Sequence, residues 1–553
     1  MKHKFLFYLF CSVACLFFDA CKKEPQTVQK PVSITITPTA VTLKKDQAYL
    51  GKRLTVNIEN LPDGESSEIT WLSDNPRIAR VTNEGIVWAE GAGETFVTAT
   101  LVNGKGSAKC KVLVTDANDY KYRIILKDKG TTNLSLNQPD AFLSARAIQR
   151  RVKYHIPIDA SDLPISTEYI KAIEQTGGTI VAKSKWLNTV VVNCSDEFLI
   201  DKYKALPFVK DVVLVWVGNR TSPSNTKYSD IPQTGTNATG TNNISYGASE
   251  KNITVNNGQV LHQNGFKGAG IDIAVIDAGF VNLKTNAAFS NVNIKGAKSF
   301  VYENDDPYAI DSHGIWVTSC MAVNMPGKYV GTAPEANYWL FRTEDESTEY
   351  PVEEDYWVSA AEYADSVGVD IINSSLSYTD EYSLVSARYK SEDMDGKTAF
   401  ASRGANVAAA KGILIVNCAG NNRRWVGTPA DSPNVLTVGS VNVKLNLDEF
   451  TAWGMTADGR IKPDVLAMGG GASVINTSGI SEARNGTSYS SPIICGLAAC
   501  LWQAYPKLTN KDIIDVIRKS GSIADQPAIP LGYGIADMAK AMQLAKTLAA
   551  SKQ

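Results

Sequence analysis

The chain has 553 residues, too many for a single hydrophobic core and enough for three or four domains. Its residues are 44% hydrophobic and 20% charged, as is ordinary for globular protein. A formal net charge of -2 excludes bulk electrostatic attraction to nucleic acid or to an acidic membrane surface. Beyond the N-terminus, no apolar run is long enough to span a bilayer.

Residues 1–21, MKHKFLFYLFCSVACLFFDAC, have the layout of a cleaved export signal: lysines, an apolar stretch, then small residues. Cys21 resembles the lipidated cysteine of bacterial lipoproteins, although Asp19 departs from the usual pattern. Cys15 is a rival acceptor, and an ordinary secretory signal is a further alternative. Lys22-Lys23-Glu24 resembles the charged tract of surface lipoproteins in some Gram-negative bacteria. We expect an exported protein, anchored by lipid to the outer membrane or cell surface of such a bacterium.

Residues 22–118 contain short β-rich runs separated by turns, which predicts a β-sandwich. The positions of Trp71, Gly85 and Gly93, with valines after them, resemble bacterial Ig-like domains of group 2. That resemblance implies either adhesion or a passive spacer beside the anchor, and we favour the spacer.

Residues 119–217 change to the order β-α-α-β-β-α-β, which approaches the split βαβ pattern and predicts an α+β, ferredoxin-like domain. Residues 218–250 are rich in Ser, Thr, Asn and Gly and have no apolar period. This stretch is typical of a linker or a processing loop.

Residues 251–550 alternate short apolar runs with helical stretches. The runs IDIAVID, VGVDIINSSL, KGILIVNCAG and NVLTVGSV end in small or polar residues. Buried strands alternating with helices predict an α/β domain with a parallel sheet. Functional groups in such sheets gather at the C-terminal ends of the strands.

Four reactive side chains stand at element ends in this domain: Asp277, His313, Asn421 and Ser488. Carboxylate, imidazole, amide and hydroxyl together are the groups needed for acyl transfer. Of the other histidines, His262 is interpreted as a packed or capping residue. His313 alone has a glycine-flanked setting at the start of a helical stretch.

The motifs around these residues resemble the subtilisin (subtilase) family of serine proteases. IAVIDAGF, SHGIWVTS, VNCAGNN and NGTSYSSP occur in the family's order over roughly residues 255–545. The resemblance implies a serine endopeptidase with Ser488 as nucleophile, His313 as general base and Asp277 as its orienting partner. It also implies that Asn421 and the Ser488 N–H stabilise the oxyanion, and that residues 119–217 are a propeptide.

The same resemblance places polypeptide substrates along Ser375, Leu376 and Ser377, with Gly427 at the floor of a pocket. Main-chain pairing with an extended peptide would be indifferent to sequence. Ser377 and Tyr378 stand where the family commonly has a glycine pair, which would narrow the cleft. Ala278 replaces a hydroxyl residue, so one hydrogen bond near the aspartate is expected to be missing.

Seven acidic residues crowd positions 344–355, and we interpret them as a solvated acidic face. A preference for basic residues in the substrate is the sharper hypothesis. Asp393 and Asp395 are compatible with calcium, but an Asp-Gly turn is the simpler interpretation. The chemistry requires no cofactor or metal. Six scattered cysteines follow Cys21, and we expect them to be small buried residues: Cys110, Cys194, Cys320, Cys418, Cys495 and Cys500.

Two other functions remain open. A catalytically idle surface protein could bind through the Ig-like domain, and an esterase is the second alternative, although it usually needs a G-x-S-x-G elbow that is absent here. The expected partners are polypeptide substrates, the chain's own propeptide and a membrane, but not nucleic acid. Cleavage within 218–250 would either release the enzyme from its anchor or leave it held non-covalently by the propeptide.

Overall fold

The computed structural model describes residues 30–45, 51–115, 119–196, 199–218, 245–302, 304–346 and 348–552. The chain divides into two compact units, residues 1–114 and 115–553. The predicted signal with Cys15 and Cys21, and most of the predicted linker, lie outside the described residues. Within the described ranges, no helix is long and apolar enough to cross a membrane.

The first unit is built from short strands whose apolar residues alternate inward and outward. The strands are Ser33–Thr37 (β1), Ala40–Lys44 (β2), Lys52–Arg53 (β3), Thr55–Glu59 (β4), Ile69–Ser73 (β5), Ala79–Val81 (β6), Ile86–Ala89 (β7), Gly93–Leu101 (β8) and Ser107–Thr115 (β9). They form sheets of order β2-β9-β8-β5, β3-β7-β6 and β1-β4. Buried Val97 of β8, Val87 of β7 and Ile36 of β1 come from the three different sheets and contribute to one apolar core, so the predicted β-sandwich is confirmed.

The second unit begins with an antiparallel sheet of order β11-β12-β10-β13. Its elements are Asp119–Leu126 (β10), Ala145–Lys153 (α1), Thr167–Thr176 (α2), Thr179–Ser184 (β11), Thr189–Cys194 (β12), Leu199–Lys204 (α3) and Val209–Gly218 (β13). The chain order is the predicted β-α-α-β-β-α-β. Helix α1 starts where the Ser144 side chain accepts a hydrogen bond from the Ala147 N–H, and α2 stops before Gly177, whose φ is 130°.

An eight-stranded sheet of order β15-β18-β14-β19-β20-β21-β24-β25 organises the rest of this unit. Its strands are Asp272–Asp277 (β14), Asn293–Ser299 (β15), Asn337–Arg342 (β18), Ile371–Ser374 (β19), Leu414–Cys418 (β20), Val435–Asn442 (β21), Val465–Ile475 (β24) and Ser481–Asn485 (β25). The remaining short strands are Asn324–Met325 (β16), Tyr329–Val330 (β17), Gly454–Met455 (β22) and Ile461–Lys462 (β23). The sheet is parallel except that β25 runs antiparallel to β24, so the expected parallel sheet needs this correction.

Helices cover both faces of that sheet. They are Glu250–Thr254 (α4), Gln259–Gln263 (α5), His313–Ala322 (α6), Val352–Val367 (α7), Phe400–Ala410 (α8), Thr487–Ala504 (α9), Asn510–Ser520 (α10) and Met538–Ser551 (α11). Val317 of α6 and Leu497 of α9 belong to one core cluster, whereas Trp357 of α7 and Ala405 of α8 belong to another. Every residue of β14 is buried because both of its faces are covered.

Arginines of α1 reach into the domain of the eight-stranded sheet. Arg151, 1% exposed, donates to Lys411 O at 2.6 Å and to Asp365 Oδ2 at 2.8 Å. It also pairs with Asp162, whereas Arg150 pairs with the other oxygen of Asp365 at 2.5 Å. A buried carboxylate between two guanidinium groups ties the two domains of this unit together.

The antiparallel sheet itself packs on α7. Arg123 holds Asp355 with two hydrogen bonds of 2.7 and 2.6 Å. Glu362 accepts from the Ser184 hydroxyl at 2.6 Å and from the backbone N–H groups of Lys185 and Trp186. The contact between the two domains is therefore polar as well as apolar, and its charges are matched.

Candidate active site

Asp277 is the last residue of β14 and its side chain is fully buried. Its Oδ1 lies 2.7 Å from His313 Nδ1 and accepts the Ala278 N–H at 2.8 Å. Its Oδ2 is buried and has no hydrogen-bond partner in the described part of the chain. Ala278 has no hydroxyl that could donate to this oxygen, in line with the hydrogen bond expected to be missing there.

His313 is the first residue of α6 and is 1% exposed. Its backbone N–H donates to Asp311 Oδ1 at 2.6 Å, which fixes the start of the helix. Burial raises the pKa of Asp311 above its usual range. Gly314 allows α6 to approach the loop after β14, because a Cβ there would lie 2.7 Å from the Phe280 ring. The His-Gly pair thus seats the imidazole directly against Asp277.

Ser488 is the second residue of α9. The helix is preceded by Gly486, two positions before Ser488, whose φ is 156°. Pro492 lies four residues later and has no N–H for the Ser488 carbonyl. The Ser375 hydroxyl takes the place of that helical donor, at 2.9 Å from Ser488 O. The proline inside α9 therefore exchanges one helical hydrogen bond for a contact with the loop after β19.

Asn421 follows β20 and its amide is oriented by α9. The Asn421 Oδ1 accepts both the backbone N–H and the hydroxyl of Thr487, each at 2.9 Å. Its Nδ2 is thereby directed away from Thr487. Asn421 Nδ2 and the Ser488 backbone N both lie 3.7 Å from the point where a Cβ on Gly486 would stand. Both nitrogens therefore lie close to Gly486 beside the Ser488 turn, in the region where an oxyanion would need its donors.

The four predicted side chains are thus brought into one region. The rings of His313 and Tyr489 have centroids 6.3 Å apart, which places the Ser488 turn beside the imidazole. Thr487 and Asp311 were missed by the sequence interpretation although each is adjacent or close to a predicted residue. Their roles depend on hydrogen bonds that no motif specifies.

The predicted substrate-binding residues lie next to this region. Ser375 contacts Ser488, and Leu376 is 2% exposed with its carbonyl bonded to Asn417 Nδ2 at 2.9 Å. The Leu376 side chain packs in the core, and the predicted pairing with substrate concerns its main chain. Ser377 and Gly427 are close neighbours.

The predicted solvated acidic face is wrong. Six of its seven residues are buried: Glu344, Asp345, Glu346, Glu353, Glu354 and Asp355. Glu346 pairs with Arg342, and Glu354 accepts hydrogen bonds from Tyr382 and Tyr389 at 2.8 Å. Burial raises the pKa of Glu354. These carboxylates form part of the interior of the unit. An exposed acidic surface, from which a preference for basic substrates was predicted, is therefore not present at these six residues.

Other predictions concern structural residues. Asp395 Oδ1 accepts the N–H groups of Lys397 and Thr398, both at 2.7 Å, which is a turn rather than a calcium loop. Among the described residues, no three His, Cys, Asp or Glu side chains are arranged so that they could hold a metal ion. His262 is buried between Tyr246 and Thr332 O, and burial lowers its pKa. The six cysteines after Cys21 are all buried and unpaired, as expected.

Comparison with known proteins agrees with this geometry. Residues 268–535 match the subtilase family, residues 121–230 the peptidase S8 propeptide domain of Bacteroidota, and residues 32–112 the bacterial Ig-like domain of group 2. Subtilisin E of Bacillus subtilis (strain 168) is 28% identical over 273 residues, which cover 47% of this chain and 63% of subtilisin E. The chain therefore spans less than two thirds of that relative.

A more distant relative and a solved structure extend the comparison. The membrane-bound transcription factor site-1 protease of Rattus norvegicus is 26% identical over 303 residues, 52% of this chain and 26% of that protein. The epidermin leader peptide processing serine protease (EpiP) from Staphylococcus aureus superposes with a TM-score of 0.53 at 18% identity. The superposition covers 78% of this chain and 99% of EpiP, and it establishes a shared fold.

Proposed function

Residues 268–535 belong to the subtilase family of serine proteases, and from that premise we propose that the chain is an endopeptidase acting through an acyl-enzyme. The supporting observation is the 2.7 Å contact between the buried His313 Nδ1 and Asp277 Oδ1. With the Nδ1 proton held by Asp277, the Nε2 lone pair is available to the Ser488 hydroxyl.

The proposed reaction has two displacements. Ser488 Oγ bonds to the scissile carbonyl carbon while its proton passes to His313 Nε2. The carbonyl oxygen gains negative charge between Asn421 Nδ2 and the Ser488 N–H. His313 then protonates the amine as the C–N bond breaks, which leaves an ester on Ser488. Water then bonds to the ester carbon while its proton passes to His313 Nε2. His313 returns that proton to Ser488 Oγ as the ester C–O bond breaks and the peptide acid departs.

A fluorophosphonate probe tests the nucleophile. We expect the probe to label the wild-type chain and to leave Ser488→Ala unlabelled, because the probe reacts only with an activated hydroxyl. Ser490, also buried and two residues further along α9, provides the matched control: Ser490→Ala is expected to remain labelled. Labelling that persists in Ser488→Ala would refute the assignment.

Turnover separates the candidate functions. A protease hydrolyses a denatured polypeptide and peptide amides, whereas an esterase hydrolyses only activated esters. An idle binding protein does neither and is not labelled. The buried contact between Asp277 and His313 favours a hydrolase over an idle binding protein, because an idle protein needs no oriented imidazole.

We propose that residues 119–217 act as the propeptide and stay bound through the buried contacts of α1 and the antiparallel sheet. Arg151→Met removes a guanidinium and leaves part of the negative charge of Asp365 and Asp162 unmatched. We expect the free energy of unfolding of this unit to fall by about 3–5 kcal/mol, the usual cost of breaking a buried ion pair.

Urea unfolding followed by tryptophan fluorescence checks this, in a Ser488→Ala background that prevents processing. Lys153→Met, two residues along the same helix but at an exposed position, is the matched control. It is expected to change the stability by less than about 0.5 kcal/mol. Equal losses in both variants would contradict the role of Arg151.

We also propose export and lipid anchoring at Cys21. Membrane fractionation with an antibody to the Ig-like domain, which stays on the anchor side of any cut in 218–250, is expected to find that domain in the membrane fraction for wild type and Cys15→Ala. Cys21→Ala should move it to the soluble fraction, since acyl chains supply the membrane affinity. The opposite behaviour of the two variants would identify Cys15 as the acceptor.

The same fractionation with an antibody to the C-terminal domain addresses maturation. A cut within 218–250 followed by a soluble C-terminal domain indicates release, whereas a cut with membrane retention indicates a non-covalent propeptide complex. Uncut, anchored enzyme would contradict both. N-terminal sequencing of the C-terminal fragment locates the cleavage site.

A further inference from the structure

Residues 375–378 lie against Gly420 and Gly427 next to Asn421, and we call the space between this segment and the two glycines the slot. The loop 375–378 is held at one end by the Ser375 contact with Ser488 O. At the other end Tyr378 and Thr428 exchange two backbone hydrogen bonds of 3.0 and 3.1 Å. Both walls of the slot are therefore fixed relative to the site.

The Ser377 side chain fills this slot. Its Oγ lies 3.2 Å from the point where a Cβ on Gly420 would stand and 2.5 Å from the corresponding point on Gly427. That hydroxyl is buried and has no hydrogen-bond partner among the described residues. The space that two facing glycines leave open is thus occupied by one small polar side chain.

The slot receives a substrate side chain because of its place in the site. A substrate carbonyl oxygen between Asn421 Nδ2 and the Ser488 N–H belongs to the residue on the N-terminal side of the scissile bond. Its Cα is one bond from the carbonyl carbon, so the attached side chain lies next to the donors. Gly420 immediately precedes Asn421 and forms the nearest wall.

The slot has little room to widen. Thr379 Cγ2 lies 2.7 Å, and Tyr378 O 2.6 Å, from the Cβ point of Gly427. The Tyr378 side chain is 1% exposed, and its hydroxyl donates to Glu344 Oε1 at 2.7 Å. Shifting the loop would break this buried hydrogen bond as well as the pairing with Thr428.

We infer, on the basis of the proposed protease function, that Ser377 restricts this enzyme to peptides with a small residue before the scissile bond: glycine, alanine or serine. A leucine or phenylalanine side chain meets the Ser377 hydroxyl where a deeper slot would admit it. A well-packed pocket discriminates by about 10–200-fold per methylene group, so the preference is expected to be at least about tenfold.

The test uses tetrapeptide p-nitroanilides that differ only in the last residue: alanine, serine, leucine or phenylalanine. The wild-type enzyme is expected to have the higher kcat/KM for alanine and serine, by at least about tenfold over phenylalanine. Ser377→Gly opens the slot and should raise the ratio of kcat/KM for the phenylalanine substrate to kcat/KM for the alanine substrate by about tenfold or more. Ser377→Ala keeps the Cβ without the hydroxyl, and its ratio should lie between the other two.

Fluorophosphonate labelling of Ser488 verifies that each variant has a folded site, and if Ser377→Gly fails to fold the wild-type profile decides alone. Equal or better cleavage after phenylalanine by the wild type would overturn the inference and leave the proposed function intact. If folded Ser377→Gly has the same phenylalanine-to-alanine ratio of kcat/KM as the wild type, the inference is likewise overturned and the proposed function is left intact. Failure to cleave any of the four peptides or a denatured polypeptide would overturn the proposed function and this inference with it.

Discussion

Asp277→Asn is expected to lower kcat about 10,000-fold at neutral pH, as the equivalent change does in serine proteases with this triad. The reason is the tautomer. The buried Asp277 Oδ1 holds the proton on His313 Nδ1 at 2.7 Å. An asparagine amide in its place can donate to Nδ1, which moves the imidazole proton to Nε2 and removes the base that Ser488 needs.

The measurement is kcat on a peptide amide, with Asp311→Asn as the matched control. Asp311 also lies near His313, but its carboxylate accepts the backbone N–H of that residue. Asp311→Asn should lower kcat by less than about tenfold, as expected for a contact at a helix start that contributes about 1 kcal/mol. Similar losses in both variants would show that general packing around the helix, and not the tautomer, determines the rate.

Asn421→Ala is expected to lower kcat about 100–1,000-fold with little change in KM. That size, about 3–4 kcal/mol, is the loss measured when a subtilisin is deprived of one oxyanion donor, and we carry it over to this chain. The structural reason is that Asn421 Nδ2 lies near the backbone N of Ser488: each is 3.7 Å from the position that a Cβ on Gly486 would occupy. A donor that acts only on the developing oxyanion affects kcat and leaves ground-state binding unchanged.

Thr487→Val provides the comparison for Asn421. It removes one of the two hydrogen bonds that orient the carboxamide and keeps the other, from the Thr487 backbone N–H. It also removes the acceptor of the Gly420 N–H, which does not contact the carboxamide. Since one neutral hydrogen bond contributes about 1 kcal/mol, the loss in kcat should stay below about tenfold. A rise in KM for Asn421→Ala, with kcat preserved, would place this residue in substrate binding instead.

The placement of the charged acids has a bearing on maturation. Asp355 in the first turn of α7 and Asp365 further along that helix are paired with Arg123, Arg150 and Arg151 of the preceding domain. The interface that holds the proposed propeptide therefore includes Asp355, one of the acids that the sequence suggested were solvated. Retention of the propeptide after cleavage would keep these charges paired.

Local patterns in the sequence were sufficient to predict the domain order, the sandwich and the alternating strands and helices. They were also sufficient to select the four reactive side chains as candidates. This worked because each signal is short: a buried strand reads as one apolar run, and Ser144 or Gly177 marks a helix end within a few residues. The motifs around Asp277, His313, Asn421 and Ser488 carry their own glycines and small neighbours.

The tertiary structure alone decided which groups those side chains meet. No pattern near residues 344–355 indicates that most of their carboxylates are buried, because their partners come from positions up to 232 residues away, as for Arg123 and Asp355. The antiparallel edge strand β25, the substitution of Ser375 for a helical donor at Ser488 O, and the Ser377 side chain between two glycines are likewise long-range contacts. Burial and pairing of polar groups depend on packing between distant segments, and local residue patterns do not encode which segments those are.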